Sequence, residues 1–557
     1  MNGHVWPHSG RGKTVGERNG FQGQMPPGIS PDRLARIQAD FMGECQALFD
    51  QARQGALAPP DDRRFSSPAW ADSPQGLFAA HAYLIGARAL RRLAESADLG
   101  DDARQRLQFA VMQWIEAASP ANFLATNPEA LATAWRTQGE SLLKGMSNLL
   151  GDMQKGHISQ TDESAFVLGE NIAASPGAVV FQNALMQVIQ YRPLARQVHA
   201  RPLLMVPPCI NKFYILDLQA DNSFVRHALE AGYAVYMISW RNPLASDTDG
   251  IERAGWDDYM QDGVLQAIEV VRDISGQDQI NALGFCVGGT MLASALALAQ
   301  ARGEDPVAAL TLLTTFLDFR DTGILDVFVD ECHARSREQQ FGDGGLMTAR
   351  ELGTTFSFLR PSELVWNYVA SNYMMGQTPR AFDLLAWNAD GTNLPGPFFA
   401  WYFRNTYLEN RLKTPGAVQV CGQSIDLGAL RMPAYLYASR EDHIVPWASA
   451  YASRGVLGGD TRFVLGESGH IAGVINPPAR GRRGYWAYDE GDRRDAAVDA
   501  QAWQRDAPRH AGSWWPDWLR WLSGHSGRKV RAKDTLGNRR YRTLEPAPGH
   551  YVRVRAE

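Results

Sequence analysis

The stretch NALGFCVGGT, residues 281–290, places Cys286 between Gly284 and Gly288. The spacing Gly-x-nucleophile-x-Gly is typical of a sharp strand-to-helix turn that exposes a nucleophile at the end of a sheet. Small flanking residues let such a turn approach neighbouring backbone, and the N-terminus of the following helix favours a thiolate. A buried structural cysteine is the alternative, which the position between a predicted strand and an apolar helix disfavours. The pattern predicts that Cys286 is a nucleophile.

Two loops further along the chain contain the groups that would activate this thiol. Asp442 lies in REDHIVPW, after the predicted strand PAYLYAS, and His470 lies in GESGHIAGVINPP, after the next predicted strand. The order nucleophile, acid, histidine, with the last two in loops after late strands, is that of α/β-hydrolase enzymes. We predict a catalytic triad of Cys286, Asp442 and His470.

Residues near these positions leave alternatives. His443 is adjacent to Asp442, but neighbouring loop residues rarely point so that one orients the other's ring, and we expect His443 to line the site. Glu441 is an alternative to Asp442 as the acid. Cys209, within PPCINKFY, is an alternative nucleophile that lacks an elbow sequence, and it too is expected to line the site.

An oxyanion hole needs two backbone N–H groups directed at the developing negative charge. The first is expected from Val287, the residue after the nucleophile. The second normally comes from a loop after an early strand, and residues 207–214 occupy that place in this chain. Within that loop we predict Cys209 or Ile210 as the donor.

Composition narrows the class of protein. The chain has 557 residues, 45% hydrophobic and 21% charged, as in ordinary globular proteins, and its net charge of −5 gives no reason to expect nucleic-acid binding. The five cysteines are scattered without a CxxC pair, which predicts neither a disulfide framework nor a zinc site and favours a reducing, cytoplasmic compartment. For the same reason we expect no metal site. We also expect no transmembrane segment and no signal peptide, since no apolar run of the required kind is present.

The hydrophobic pattern divides the chain into parts. Residues 1–30 are polar and rich in glycine and proline, which predicts a disordered N-terminus. Apolar residues at helical spacing predict an all-helical N-terminal domain over 31–164. From 165 to 557, short apolar strands alternate with helices, which predicts a catalytic domain with a mostly parallel sheet and helices on both faces. The helical signals cover residues 76–97, 102–118 and 128–150, and the predicted strands are FVLG, AVVFQN, PLLMVPP, YAVYMISW, QINALGFC, ALTLLTT, PAYLYAS and TRFVLG.

Two segments depart from this alternation. Residues from about 322 to 425 are irregular and rich in aromatics, proline and glycine, which predicts a cap inserted over the site. The stretch GSWWPDWLRWL, residues 512–522, predicts core packing by tryptophans, with an amphipathic surface for an apolar product or partner as the alternative.

The choice of cysteine as nucleophile also indicates the substrate. A thiolate exchanges readily with a thioester, and the resulting acyl-thioenzyme keeps the acyl group activated for transfer to an alcohol. A serine ester would lose that activation. The cysteine elbow therefore favours acyl transfer from a thioester donor, and synthesis would require a cap that excludes water.

Several longer motifs carry a family resemblance. The chain resembles the polyhydroxyalkanoate synthases, most closely the single-subunit class I type that makes poly(3-hydroxybutyrate), from about residue 65 to the C-terminus. The motifs that carry it include SPANFLATNPEAL, VPPCINKFYILDL, YMISWRNP, GFCVGGT, LDVFVDE, GTTFSFLRP, WNADGTNLPGP, REDHIVPW, SGHIAGVINPP, GSWWPDW and EPAPGHYV.

The resemblance implies an α/β-hydrolase fold with an inserted cap and a polyester synthase activity. In that family Cys286, Asp442 and His470 match the catalytic cysteine, aspartate and histidine. The implied substrate is an (R)-3-hydroxyacyl-CoA, so that coenzyme A enters as part of the substrate and no separate cofactor is needed. The family also implies a homodimer in the cytoplasm on polyester granules, with the growing polyester chain and granule-coating proteins as partners.

Two other functions remain open from sequence. A cysteine-dependent esterase or depolymerase of the same fold would use the same three residues for hydrolysis. A non-catalytic granule-coating protein would use only the aromatic surfaces. The preferred acyl chain length is not determined by any residue spacing.

Overall fold

The computed structural model describes residues 28–489 and 499–556. Most of the predicted disordered N-terminus, residues 1–27, therefore lies outside the described residues. Among the described residues, no helix combines the length and the apolarity needed to cross a bilayer.

The N-terminal part is helical. Proline occupies the first turn of four of its helices, where the missing N–H costs nothing, and Ser73 and Asn127 cap two of them through their side-chain oxygens. Its helices are α1 (Pro31–Arg53), α2 (Pro68–Ala71), α3 (Pro74–Ser96), α4 (Asp101–Ala117), α5 (Pro128–Arg136) and α6 (Glu140–Lys155). The continuous helical signal over 128–150 was wrong in one respect: the chain breaks at Gln138 and Gly139, which both have positive φ.

The strands of the main sheet are β1 (Gly177–Gln182), β2 (Met186–Tyr191), β4 (Leu203–Val206), β5 (Val235–Trp240), β6 (Ile280–Phe285), β7 (Val307–Leu313), β12 (Ala434–Ser439), β13 (Thr461–Gly466), β14 (Gly484–Trp486), β15 (Arg509–Ala511) and β17 (Glu545–Pro546). Within the described residues, these eleven strands follow the order β15-β14-β13-β12-β7-β6-β4-β5-β2-β1-β17. The six strands from β13 to β5 are parallel, and antiparallel strands extend the sheet at both edges. Three two-stranded sheets are formed by β3 (Gln197–His199) with β16 (Lys529–Arg531), β8 (Leu346–Met347) with β9 (Leu394–Pro395), and β10 (Gln419–Val420) with β11 (Gln423–Ser424).

Helices cover both faces of the main sheet, and two hydrophobic clusters fill the space beneath them. These helices are α7 (Phe224–Glu230), α8 (Trp256–Asp258), α9 (Gln266–Ser275), α10 (Val287–Ala301), α15 (Trp447–Ala452), α16 (His470–Val474), α17 (Ala500–Asp506) and α18 (Trp515–His525). The predicted α/β-hydrolase fold class, with a helical region before it, is confirmed. The predicted strand FVLG is wrong, because Leu168 forms only an isolated bridge with Ile172. The buried strand β2 was missed.

The segment between β7 and β12 contains the helices α11 (Glu331–Phe341), α12 (Ala349–Phe358), α13 (Asp383–Ala389) and α14 (Gly396–Tyr402). Five π-helical or 3-10 turns lie beside them, including Val369–Met374 and Phe403–Leu408. We refer to residues 322–425 as the cap; these bounds stay a prediction.

The N-terminal helix α6 lies directly on the cap. The Asp152 carboxylate accepts a hydrogen bond from the Tyr373 hydroxyl at 2.7 Å, and the Asn148 side chain donates to the Asn372 carbonyl at 3.0 Å. The helix approaches so closely at Gly145 that an added Cβ would lie 2.0 Å from the Tyr373 carbonyl oxygen. A glycine is required at this contact because backbone, which cannot rotate away, occupies the space.

Gly145→Val is expected to destabilise the protein by about 2 kcal/mol, the usual cost of overpacking a close contact. The matched control is Gly151→Val on the same helix, since a Cβ at Gly151 meets nothing within 4 Å. Thermal or urea unfolding of the two variants measures the difference. Equal stability of both variants would contradict the close contact between α6 and the cap.

Candidate active site

Cys286 occupies the turn between strand β6 and helix α10. Its backbone has φ 54° and ψ −128°, a strained conformation for a residue with a side chain, and its N–H donates to the Leu313 carbonyl at 2.9 Å. Parallel pairing of β6 with both neighbouring strands holds the turn in place. The elbow geometry that the motif predicts is therefore present.

The glycines of the motif are required by close backbone contacts. A Cβ at Gly284 would lie 2.4 Å from Cα of Gly289, and one at Gly288 would lie 2.4 Å from the Val206 carbonyl oxygen. Both distances are far below van der Waals contact with atoms that cannot move aside. The spacing Gly-x-Cys-x-Gly thus follows from how tightly α10 returns past the ends of β6 and β4.

Asp442 and His470 form a buried hydrogen-bonded pair. Asp442 follows β12 and His470 begins α16 after β13, so both lie at the carboxyl edge of the parallel strands, as Cys286 does. His470 Nδ1 lies 2.7 Å from Asp442 Oδ2. The other carboxylate oxygen, Oδ1, accepts from the N–H groups of Ile444 at 2.8 Å and Val445 at 2.9 Å. The carboxylate is therefore held in one orientation, with a single oxygen facing the imidazole.

Two buried tryptophans donate hydrogen bonds to helix α16, which begins at His470. The indole N–H of Trp514 donates to the Gly473 carbonyl at 3.1 Å, and that of Trp515 donates to the Val474 carbonyl at 2.9 Å. Both indoles are 1% exposed. The interpretation of this late aromatic stretch as core packing is confirmed at these positions, and its contact with the segment that begins at His470 was not visible in the sequence.

The charge state of the pair follows from its surroundings. Burial lowers the pKa of His470, but the Asp442 charge, the nearby Cys286 sulfur and hydrogen bonds to both outweigh it and raise this pKa to about 10. An imidazole that binds its proton this tightly can hold a proton taken from the thiol. The pair is therefore suited to act as the base toward a neighbouring thiol.

Glu441 and His443, the two alternatives next to Asp442, differ in their surroundings. Glu441 is exposed and pairs with Arg440 at 3.3 Å, so it does not face His470. Burial, with the Arg360 charge, lowers the pKa of His443 to about 4, which leaves a neutral ring near Asp442 and His470. Among the described residues, Nδ1 of His443 has no hydrogen-bond partner. The positions of Glu441 and His443 agree with a triad that contains Asp442 and His470, with His443 next to it.

Cys209 and Ile210 lie on the loop after β4, next to the elbow. Cys209 is 1% exposed, and burial raises the pKa of its thiol well above the ordinary range, with the nearby Cys286 adding to the increase. A thiol of this kind is a poor nucleophile, so its position agrees with a lining role. The Ile210 carbonyl accepts a hydrogen bond from the Thr392 N–H at 2.8 Å, which ties this loop to the cap.

The expected oxyanion donors sit at two chain segments that meet at Cys286. Val287 is the first residue of α10, so its N–H belongs to the first turn of that helix and has no acceptor within it. The loop that contains Cys209 and Ile210 approaches from β4, whose end contacts the start of the same helix at Gly288. A carbonyl oxygen between these segments would meet N–H groups and the positive end of α10.

Two cap tyrosines that the sequence did not single out lie close to Cys286. Burial, together with the neighbouring Cys286 sulfur, raises the pKa of Tyr407, and burial, Tyr407 and Cys286 raise that of Tyr402. Their rings meet edge-on at 5.6 Å, and Phe319 packs against Tyr407 at 5.1 Å. The aromatic richness of the cap was the only signal available, and it did not identify which residues reach the site.

Comparison with known proteins gives matches along nearly the whole chain. Residues 61–228 match the family model described as the N-terminus of poly-beta-hydroxybutyrate polymerase (PhaC), and residues 202–477 match that of the alpha/beta hydrolase fold. A poly(3-hydroxyalkanoate) polymerase subunit PhaC from Cupriavidus necator is 54% identical over 536 residues, which cover 95% of this chain and 90% of the relative.

Further relatives are similar over comparable lengths. The poly(3-hydroxyalkanoate) polymerase subunit PhaC from Rhizobium meliloti is 40% identical over 94% of this chain and 86% of its own. The poly(3-hydroxyalkanoate) polymerase 2 from Ectopseudomonas oleovorans is 39% identical over 89% of this chain and 87% of its own.

Proposed function

This chain belongs to the poly(3-hydroxyalkanoate) polymerase family, and from that premise we propose how its own residues carry out the reaction. The protein is an acyltransferase that polymerises hydroxyacyl-CoA thioesters into polyhydroxyalkanoate and releases coenzyme A. We propose that Cys286 is the nucleophile, with His470 and Asp442 completing the triad. The observation that carries this assignment is the 2.7 Å His470–Asp442 contact at the sheet edge where the strained Cys286 turn is located.

The first step is acylation of the thiol. His470 accepts the thiol proton of Cys286, and the sulfur attacks the thioester carbonyl carbon. The oxygen of the tetrahedral intermediate is stabilised by the N–H of Val287 and by that of Ile210 or Cys209. The C–S bond to coenzyme A then breaks, and His470 returns the proton to the departing thiolate. The acyl group is left on Cys286 as a thioester.

The second step forms the ester bond. The hydroxyl oxygen of another 3-hydroxyacyl group attacks the carbonyl carbon of acyl-Cys286, the C–S bond breaks, and the thiolate is regenerated. We assign the proton transfer in this step to His470 as well. The Asp442 side chain is inaccessible, since both of its oxygens already accept hydrogen bonds within the protein. A carboxylate so enclosed cannot reach an incoming hydroxyl without breaking those contacts.

Water must be kept from the acyl-enzyme for synthesis to exceed hydrolysis. The aromatic rings of Tyr402, Tyr407 and Phe319 on the cap side of Cys286 suit that task. The reaction as proposed uses no separate cofactor or metal, because coenzyme A enters as part of the substrate.

We further propose that the protein acts in the cytoplasm as a homodimer on the surface of polyester granules. Exposed apolar side chains on α5 and α6 support contact with an apolar surface, since patches of this kind are unusual on a monomer. They are Trp135, Leu143, Met146, Leu150 and Met153, which are 53–83% exposed. Granule-coating proteins are further candidate partners.

The proposed function is tested with (R)-3-hydroxybutyryl-CoA as substrate. We expect release of coenzyme A together with a product of high molecular mass, and an acyl group on Cys286 detectable by mass spectrometry. A series of substrates with longer acyl chains measures the chain-length preference, and we expect short chains to react fastest. Free 3-hydroxybutyric acid without polymer would favour the esterase or depolymerase alternative and overturn the proposal.

A further inference from the structure

Lys212 is a buried cation close to the candidate oxyanion hole. It lies two residues after Ile210, and its side chain is 3% exposed. Of the lysines and arginines in residues 28–489 and 499–556, Lys212 alone is buried. Removing an ammonium group from water is costly unless it makes specific contacts. Its contacts therefore indicate what a lysine contributes at this position.

The ammonium group of Lys212 binds the C-terminal segment of the chain. Nζ donates a hydrogen bond to the Val554 carbonyl at 2.6 Å. The same carbonyl accepts from the Asn242 side chain at 3.1 Å, and the Asn242 oxygen in turn accepts from the Asn393 N–H at 2.9 Å. One carbonyl near the C-terminus thus joins the loop after β4, the loop after β5 and the base of the cap.

The cap holds the same loop from the other side. The Thr392 N–H donates to the Ile210 carbonyl at 2.8 Å, and the Trp387 indole N–H donates to the Lys212 carbonyl at 2.7 Å. Asn211, between them, forms a bridge with Gly391. The peptide groups from Ile210 to Lys212 are therefore held by the cap backbone and side chains, while the Lys212 ammonium attaches them to Val554.

The carboxylate of Asp390 lies near the Lys212 ammonium group. Asp390 is buried, and one of its oxygens accepts a hydrogen bond from the Tyr214 hydroxyl at 2.9 Å. Burial lowers the pKa of Lys212 to about 8, and the charge of Asp390 opposes that effect. The carboxylate and the Val554 carbonyl together provide the polar environment that a buried ammonium requires.

We propose that Lys212 is a positioning residue for the oxyanion hole, which it sets by tying the Ile210 loop to the Val554 carbonyl. This inference rests on the proposed function, in which that loop supplies one of the two N–H donors. Lys212 does not touch the reacting atoms. Its effect reaches them through two peptide bonds, and an oxyanion donor displaced by about 1 Å loses most of its stabilisation of the transition state.

The test compares two reactions of the same thiol in the full-length protein. Acylation by (R)-3-hydroxybutyryl-CoA passes through an oxyanion, whereas alkylation by iodoacetamide does not. For Lys212→Met we expect kcat for coenzyme A release to fall by about 10- to 100-fold with KM nearly unchanged, whereas alkylation of Cys286 stays within about twofold of the parent protein. Lys212→Arg, which retains a donor, should recover part of kcat.

Lys533→Met is the matched control, because Lys533 also donates to a backbone carbonyl, that of Ile274 at 3.2 Å, away from this loop. It should retain parental kcat. Deletion of residues 554–557 removes the acceptor itself and should reproduce the Lys212→Met effect, which keeps the inference testable should that variant not fold.

Two results would overturn the inference. One is parental kcat in both Lys212→Met and the deletion. The other is an equal loss of acylation and alkylation, which would mark Lys212 as merely structural. The proposed function fails separately, and visibly, if the parent protein itself forms no acyl-Cys286.

Discussion

Replacing Cys286 with alanine is expected to abolish polymer formation and to reduce coenzyme A release to the background rate, a loss of at least about 10⁴-fold. The reason is geometric as well as chemical. Cys286 is the residue at the end of β6 whose backbone, at φ 54°, projects a side chain towards the His470–Asp442 pair. Alanine keeps that backbone and removes the sulfur that attacks the thioester in the proposed mechanism.

Cys286→Ser tests the chemistry rather than the presence of a nucleophile. A hydroxyl in the same place stays protonated at neutral pH and would form an ordinary ester rather than an activated thioester. We expect turnover to be severely impaired, with no detectable polymer. Single-turnover release of coenzyme A and product size measured by gel filtration separate the two steps.

The matched control for these variants is Cys332→Ala, since Cys332 is an exposed cysteine of the cap. It should retain parental activity. An acyl group found on Cys209 after incubation with substrate would contradict the assignment of Cys286. Unchanged activity and granule formation in Cys286→Ala would instead support the non-catalytic coating protein.

Asp442→Asn has the second largest expected effect, a loss of about 10²- to 10⁴-fold in kcat. Asp442 Oδ1 accepts from the N–H groups of Ile444 and Val445, so the asparagine oxygen must face those donors. Its NH₂ group would then face Nδ1 of His470. The imidazole would be driven to the tautomer with its proton on Nε2, which cannot accept the proton of Cys286.

Glu441→Gln is the matched control for this variant, because it removes the adjacent carboxylate, which is exposed and pairs only with Arg440 among the described residues. We expect parental kcat. If Glu441→Gln lost activity while Asp442→Asn retained it, the two carboxylates would have to exchange roles.

Asp442→Asn should also change how the free energy of unfolding depends on pH. The pKa of His470 is raised to about 10 in the folded protein, against about 6.5 for an unfolded histidine. This group therefore contributes stability that is fully present below pH 6.5 and is lost as pH rises through 10. Asp442→Asn removes the main cause of the raised pKa. The free energy of unfolding of Asp442→Asn should therefore fall further below that of the parent protein at pH 6 than at pH 10. Urea unfolding of both proteins at these two pH values measures the difference.

Much of the site could be predicted because its chemistry depends on local sequence. The elbow needs glycines at fixed spacing around Cys286, since any side chain at Gly284 or Gly288 would collide with backbone. Asp442 and His470 follow buried β strands whose apolar runs are visible in the sequence. Parallel strands bring their carboxyl ends to one edge, so three residues separated by up to 184 positions could be placed together.

Other features depended on contacts between distant segments. The sequence predicted the wrong first strand because FVLG has the right composition but no partner strand, whereas the missed β2 pairs on both sides. The helical signal over 128–150 did not reveal the break at Gly139, which allows α6 to turn onto the cap. Both features involve contacts outside the run of residues that carried the signal, β5 for β2 and Tyr373 for α6.

The sequence by itself determined the fold class, and it predicted Cys286, Asp442 and His470 as the catalytic residues and a thioester as the substrate, because each follows from residue type and short-range spacing. Only the tertiary structure decided what holds them: Trp514 and Trp515 beneath the His470 loop, and Lys212 with Val554 behind the Ile210 loop. These supports join residues 41 to 342 positions apart. Such pairings leave no periodic signal, since a single hydrogen bond to a backbone carbonyl places no demand on the partner's side chain.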